Sequence, residues 1–152
     1  MIPVDQLVIP DRFDAVHHGD CLRACIASIL ELSAAEVPHC YDYDERTCAD
    51  GSLGLERLQQ WLNRRGLGYL EVFVAEEYFG RFTASFLCGY HVLIGLAGVA
   101  EHAVVGFQGR CVHDPHPQRT GVLPYSPPGA DGVLGYTIGV IYLLGGSAPA
   151  AS

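Results

Sequence analysis

Cys21, His102 and Asp114 are the residues whose types and local settings can do covalent chemistry together. Cys21 stands in Gly19-Asp20-Cys21-Leu22-Arg23-Ala24-Cys25-Ile26-Ala27-Ser28-Ile29-Leu30, a glycine-acid-cysteine turn that runs into an apolar stretch. Leu22, Cys25, Ile29 and Leu30 recur at helical spacing, so the stretch reads as a buried helix with Cys21 in its first turn. Backbone N–H groups and the positive end of the macrodipole at a helix start favour a thiolate, which lowers the cysteine pKa. Cys21 is the candidate nucleophile. Cys25, one turn further along the apolar stripe, reads as core filling.

The other two residues come from a hairpin. His102-Ala103-Val104-Val105-Gly106-Phe107 reads as a strand, and Gln108-Gly109-Arg110 suits a tight turn that returns Cys111-Val112-His113-Asp114 antiparallel to it. His102 then opens one strand and Asp114 ends its neighbour, so the two side chains meet at one end of the hairpin. An aspartate there accepts a hydrogen bond from one imidazole nitrogen, fixing the tautomer while the other nitrogen faces a thiol. The chain order supplies a nucleophile, a base and an orienter.

The elements that must position these residues follow from periodicity. Ser33-Ala34-Ala35-Glu36 has capping-box spacing and predicts a short helical turn ended by Pro38. Leu55, Leu58 and Leu62 share one face of a helix that Gly66 terminates. Tyr69–Val74, Tyr90–Leu96 and Tyr136–Leu143 read as further strands, while Ala75–Phe86 fits neither pattern cleanly. The polar segment His39–Gly51 and the Pro/Gly-rich Pro115–Gly135 read as loops. Helices first and strands second predict an α+β domain, with an antiparallel sheet packed on the Cys21 helix. One domain over residues 1–144 and a small-residue tail over 145–152 account for the chain.

Composition narrows the function classes. With 152 residues, 49% of them hydrophobic and 17% charged, the chain can bury a core without metal or disulfide staples. Seventeen acidic residues against nine basic ones, with no basic run, argue against a nucleic-acid partner. Residues 1–6 carry no basic-then-apolar leader, and the apolar runs at Gly89–Ala100 and Gly135–Leu144 are too short and glycine-broken to span a bilayer. The default expectation is a cytoplasmic protein without a membrane partner, whose six cysteines stay reduced. Oligomeric state has no signature in the sequence.

The Gly19-Asp20-Cys21 turn, the His102-Ala103-Val104-Val105-Gly106 strand and the Asp114-Pro115 pair together resemble papain-like cysteine peptidases. The sequence is similar in look to the peptidase domains of bacteriocin-exporting transporters, whose cysteine lies in Asp-Cys-Gly-x-x-Cys; here Leu22 replaces the glycine and Cys25 keeps the spacing. It also resembles small, uncharacterised bacterial and phage proteins with Gly-Asn/Asp-Cys, Gly-Tyr-His, His-Ala-Val-Val and His-Asp-Pro-His-Pro blocks. These correspond to Gly19–Cys21, Gly89–His91, His102–Val105 and His113–Pro117. The resemblance implies a papain-like fold, with Cys21 as nucleophile, His102 as general base and acid, and Asp114 as orienter. It implies hydrolysis of an amide, peptide or isopeptide bond through a thioester, without a cofactor. Papain-like enzymes place a glutamine shortly before the cysteine for the oxyanion hole. Here Gln6 is the only upstream candidate and needs an intervening loop to fold it back. The alternatives are the backbone N–H groups around Cys21 or the side chains of His17, His18 or Asp20.

Other classes stay open at this point. The same triad serves glutamine deamidation and acyl transfer, and a peptidase-like fold can be a non-catalytic binding module. A structural zinc on Cys40, Cys48, His39 and the His113-x-x-His116 pair lacks any Cys-x-x-Cys, so no metal is expected. His91 reads as a buried, hydrogen-bonded strand residue, and His113 and His116 as rim or loop positions. The acidic, tyrosine-containing loop Asp42–Asp50 reads as a solvated surface, or as a rim selecting cationic peptides.

Overall fold

A computed structural model of the chain describes residues 1–7, 19–39, 52–95, 102–119, 121–127 and 129–145. The elements are α1 (Cys21–Leu30), α2 (Ser52–Asn63), β1 (Leu67–Ala75), α3 (Glu76–Ser85), β2 (His91–Ile94), β3 (Val104–Phe107), β4 (Arg110–His113) and β5 (Gly135–Leu143), with a 3-10 turn at Ala34–Glu36. The α+β class follows directly. Cys40, Cys48, His17, His18, the Asp42–Asp50 loop and residues 146–152 of the tail lie outside the described residues.

All strand pairs of the five-stranded sheet are antiparallel, in the order β1-β5-β2-β3-β4. Alternation along the strands sends residues to two separate cores. Leu93, Ala103 and Val105 meet Leu22, Cys25 and Ile26 of α1 and Leu58, Trp61 and Leu62 of α2. Val92, Ile94, Val104 and Ile138 point the other way, against Phe79 and Phe82 of α3. The central strands are therefore covered on both faces, which is why they read as nearly continuous apolar runs. Leu58 and Leu62 are fully buried, and each such side chain contributes about 1.5–3 kcal/mol by leaving water.

Local chemistry explains the helices. Leu55, Leu58 and Leu62 lie on the core side of α2, and Gly66 follows with φ +71, the left-handed conformation that ends a helix cheaply. The Ser33–Glu36 capping box forms, with the Ser33 N–H donating to Glu36 Oε2 at 2.9 Å. The segment without a clear pattern, Ala75–Phe86, becomes α3. Phe79, Phe82 and Thr83 recur at three- and four-residue spacing and cover the second sheet face, with Phe79 stacked on Tyr136 at 4.5 Å. No helix among the described residues is long and apolar enough to cross a membrane.

Candidate active site

Cys21 is the first residue of α1 and is 6% exposed. Its sulfur takes hydrogen bonds from the backbone amides of Ala103 and Leu22, which favour the thiolate. Burial acts more strongly in the opposite direction, and the Asp20 carboxyl beside it adds to that, so the thiol is pushed above its ordinary value. The thiolate expected from a helix N-terminus is thus outweighed by desolvation, which the sequence does not display. At rest the sulfur holds its proton. Cys25 is fully buried, as expected, with its thiol raised well above the ordinary value chiefly by burial.

The hairpin turns at Gln108 and Gly109, both with positive φ (49 and 77), as a two-residue turn matching strand twist requires. Phe107 pairs with Arg110 and Gly106 with Cys111, but Val105 pairs with His113, so Val112 is an extra residue in a β-bulge. The bulge ends the paired stretch at His113, so Asp114 follows β4 directly and His102 lies just before β3. His102 Nε2 then meets Asp114 Oδ1 at 2.8 Å. A carboxylate only accepts, so Nε2 carries the proton in this bond. Ala103, whose amide reaches the Cys21 sulfur, follows His102 directly in the chain, and the His102 ring is paired with Asp114.

Asp114 is 5% exposed and held on both oxygens. Oδ1 also accepts the His116 N–H at 2.9 Å, and Oδ2 accepts the Gly121 N–H at 2.7 Å. Burial pushes its carboxyl up, but the Gly121 and His116 amides and His102 pull it further down, so it lies below the usual aspartate value. The Pro/Gly-rich loop is therefore a cradle for this carboxylate at its start, and Gly121 adopts φ +71 to aim its amide. The His116 ring stands edge-on to His102 with centroids 5.7 Å apart, and its Nδ1 accepts the Gln118 N–H at 3.1 Å.

The N-terminal segment folds back onto the site. The Gln6 N–H donates to Pro115 O at 3.1 Å, the Leu7 N–H to Asp20 Oδ1 at 3.0 Å, and His113 Nε2 to Val4 O at 2.8 Å. Buried Gln6 thus lies beside the residue after Asp114, while Asp20 acts as an acceptor that holds residue 7. His113 is committed to this contact, and His91 opens β2 partly buried, stacked on Phe107 at 4.8 Å. Among the described residues, no group of three or more His, Cys, Asp or Glu side chains could hold a metal ion.

Gly95 belongs to the site by its backbone. Its φ is +94, and a β-carbon there would lie 2.7 Å from the carbonyl oxygen of His102. Only glycine lets the end of β2 approach the residue carrying the imidazole this closely. An isolated glycine in the apolar run Val92-Leu93-Ile94-Gly95-Leu96 was the available signal. No family model, curated protein or solved structure matches the chain.

Proposed function

We propose that this protein is a papain-like cysteine hydrolase that cleaves an amide, peptide or isopeptide bond. The observation that carries the reading is the His102–Asp114 pair at 2.8 Å, one residue from the amide that reaches the Cys21 sulfur. In this reading His102 Nδ1 takes the thiol proton as the sulfur attacks the carbonyl, since burial keeps Cys21 protonated at rest. Asp114 holds the ring and stabilises the imidazolium. The imidazolium then protonates the leaving amine, a thioester remains on Cys21, and His102 activates water to release the acid. Proton transfer by a positioned imidazole is worth about 10²–10⁴ in rate. Gln6 and the Cys21 backbone N–H are the donors for the developing oxyanion. The substrate is a peptide or protein, and a cytoplasmic location suits reduced cysteines.

The test is covalent capture. Incubation with a peptide vinyl sulfone, followed by peptide mapping, should place the adduct on Cys21 in the wild type and nearly abolish it in His102→Ala. Product masses from a mixed peptide and isopeptide pool should show cleavage. Labelling of Cys21 that ignores His102, or no labelling at all, overturns the reading; a mass gain of one dalton without cleavage would replace hydrolysis with deamidation.

A further inference from the structure

We propose that Arg119 is a positioning residue that holds Asp114, and through it the His102 ring, by closing the turn after β4 onto itself. The inference rests on the reading of His102 and Asp114 as base and orienter. Arg119 adopts φ +47, a left-handed conformation that a residue with a β-carbon takes only at a cost. Glycine would suit that backbone better, so the side chain must supply what the position needs. Its Nη1 donates to the Asp114 carbonyl oxygen, five residues back, and its backbone N–H donates to His116 O at 2.9 Å.

These two bonds close residues 114–119 into a loop. The loop presents the His116 amide to Oδ1, and Gly121, two residues past its end, donates its amide to Oδ2. Among the described residues of the turn, the guanidinium is the group that ties its far end to the Asp114 main chain, and without it the Gly121 amide can swing away from Oδ2. The carboxylate would then rotate about its χ2 bond and release Nε2 of His102.

A second arm reaches outward. Nη2 donates to Asp5 Oδ1 at 3.1 Å and Oδ2 at 3.4 Å, adding a tie to the N-terminal segment that already meets His113 and Pro115 on either side of Asp114. Asp5 and Arg119 are 62% and 53% exposed there, so water and salt screen this pair. The inward bond to the carbonyl, a charged donor on a half-enclosed acceptor, does the holding.

Four variants of the full chain test this: Arg119→Met, Arg119→Gly, Arg119→Lys and Asp5→Asn. The first readout is the downfield imidazole proton on His102 Nε2 in ¹H–¹⁵N spectra, assigned by its disappearance in His102→Ala. The second is the rate of vinyl sulfone capture at Cys21. The wild type, Arg119→Lys and Asp5→Asn should retain the protected proton. Arg119→Met and Arg119→Gly should lose it to exchange with water and slow capture by about tenfold, the scale set by losing orientation of one group. Arg119→Gly should do so without lowering the thermal midpoint, because glycine relieves the left-handed backbone.

A retained Nε2 proton in both Arg119→Met and Arg119→Gly overturns the proposal. So does Asp5→Asn behaving like Arg119→Met, which would place the hold in the outward arm. If the wild type takes no probe at Cys21, the hydrolase reading fails while the imidazole proton still decides the role of Arg119.

Discussion

The thiol of Cys25 donates to the carbonyl oxygen of Ala103 at 3.3 Å in the buried interface between α1 and the start of β3. The amide of the same Ala103 reaches the sulfur of Cys21. The residue just before β3 therefore engages two sulfurs four residues apart on the helix, and His102 directly precedes it in the chain. The spacing of the two cysteines sets where the helix sits along β3, and with it the placement of sulfur relative to imidazole.

Cys25→Ala should accordingly weaken both fold and site. It leaves a buried carbonyl without its donor and a small void at a fully buried position, together costing about 1–3 kcal/mol. Urea unfolding should show that loss, and vinyl sulfone capture at Cys21 should slow. Unchanged capture in a folded Cys25→Ala protein would mean that Ala103 does not transmit the placement.

Cys21 should be a poor target for a simple alkylating agent. Because burial keeps its thiol above the ordinary value, iodoacetamide at pH 6 should modify exposed Cys88 ahead of Cys21, while the peptide vinyl sulfone selects Cys21. The same shift bears on stability. A thiol raised in the folded state contributes stability that is present below the unfolded value, about 8.5, and is lost as pH rises toward the folded one. Cys25 shifts in the same direction. Urea midpoints should therefore fall above about pH 8.5, and less steeply in Cys21→Ala. Preferential iodoacetamide labelling of Cys21 at pH 6 would contradict the buried, protonated thiol.

Asp114 titrates the other way. Its carboxyl is lowered in the folded protein, so its stability contribution is present above the unfolded value of about 3.9 and is lost as pH falls through the folded one. The stability gap between wild type and Asp114→Asn should therefore be full at pH 6 and shrink below about pH 4. Urea titrations at pH 6, 4 and 3 measure it. A gap that stays constant across those three values would show that the Gly121 and His116 amides do not favour the ionised form.

The hairpin was legible because Gln108-Gly109 has the turn chemistry that a two-residue connection demands, and α2 because three leucines and a terminal glycine agree. The bulge at Val112 was not, since one extra residue in a strand leaves no mark in composition. Ala75–Phe86 was ambiguous because Tyr78, Phe79 and Phe82 favour strands locally, and Gly80 weakens a helix. Burial of Phe79, Phe82 and Thr83 on the far side of the sheet overrides both tendencies. The thiol shift failed for a similar reason: the helix start is visible in sequence, whereas the packing that desolvates Cys21 comes from residues some eighty positions away.

Gly95 offers the most direct test of how the sheet carries the imidazole. Its backbone N–H donates to Thr137 O at 2.9 Å, so the end of β2 is fixed to β5 and cannot drift. A β-carbon at this position would lie 2.5 Å from Val122 Cγ1 and 2.7 Å from His102 O. Gly95→Ala combines a left-handed backbone penalty of about 1–2 kcal/mol with an overlap costing about 1–3 kcal/mol. Adding Val122→Ala removes the side-chain collision but leaves the collision with the His102 carbonyl. The double variant should regain part of the thermal stability while capture at Cys21 stays depressed by about tenfold or more, because a displaced His102 no longer lines up with the sulfur. Recovery of stability and capture together would show that Val122 alone required the glycine, and that His102 tolerates the added methyl group.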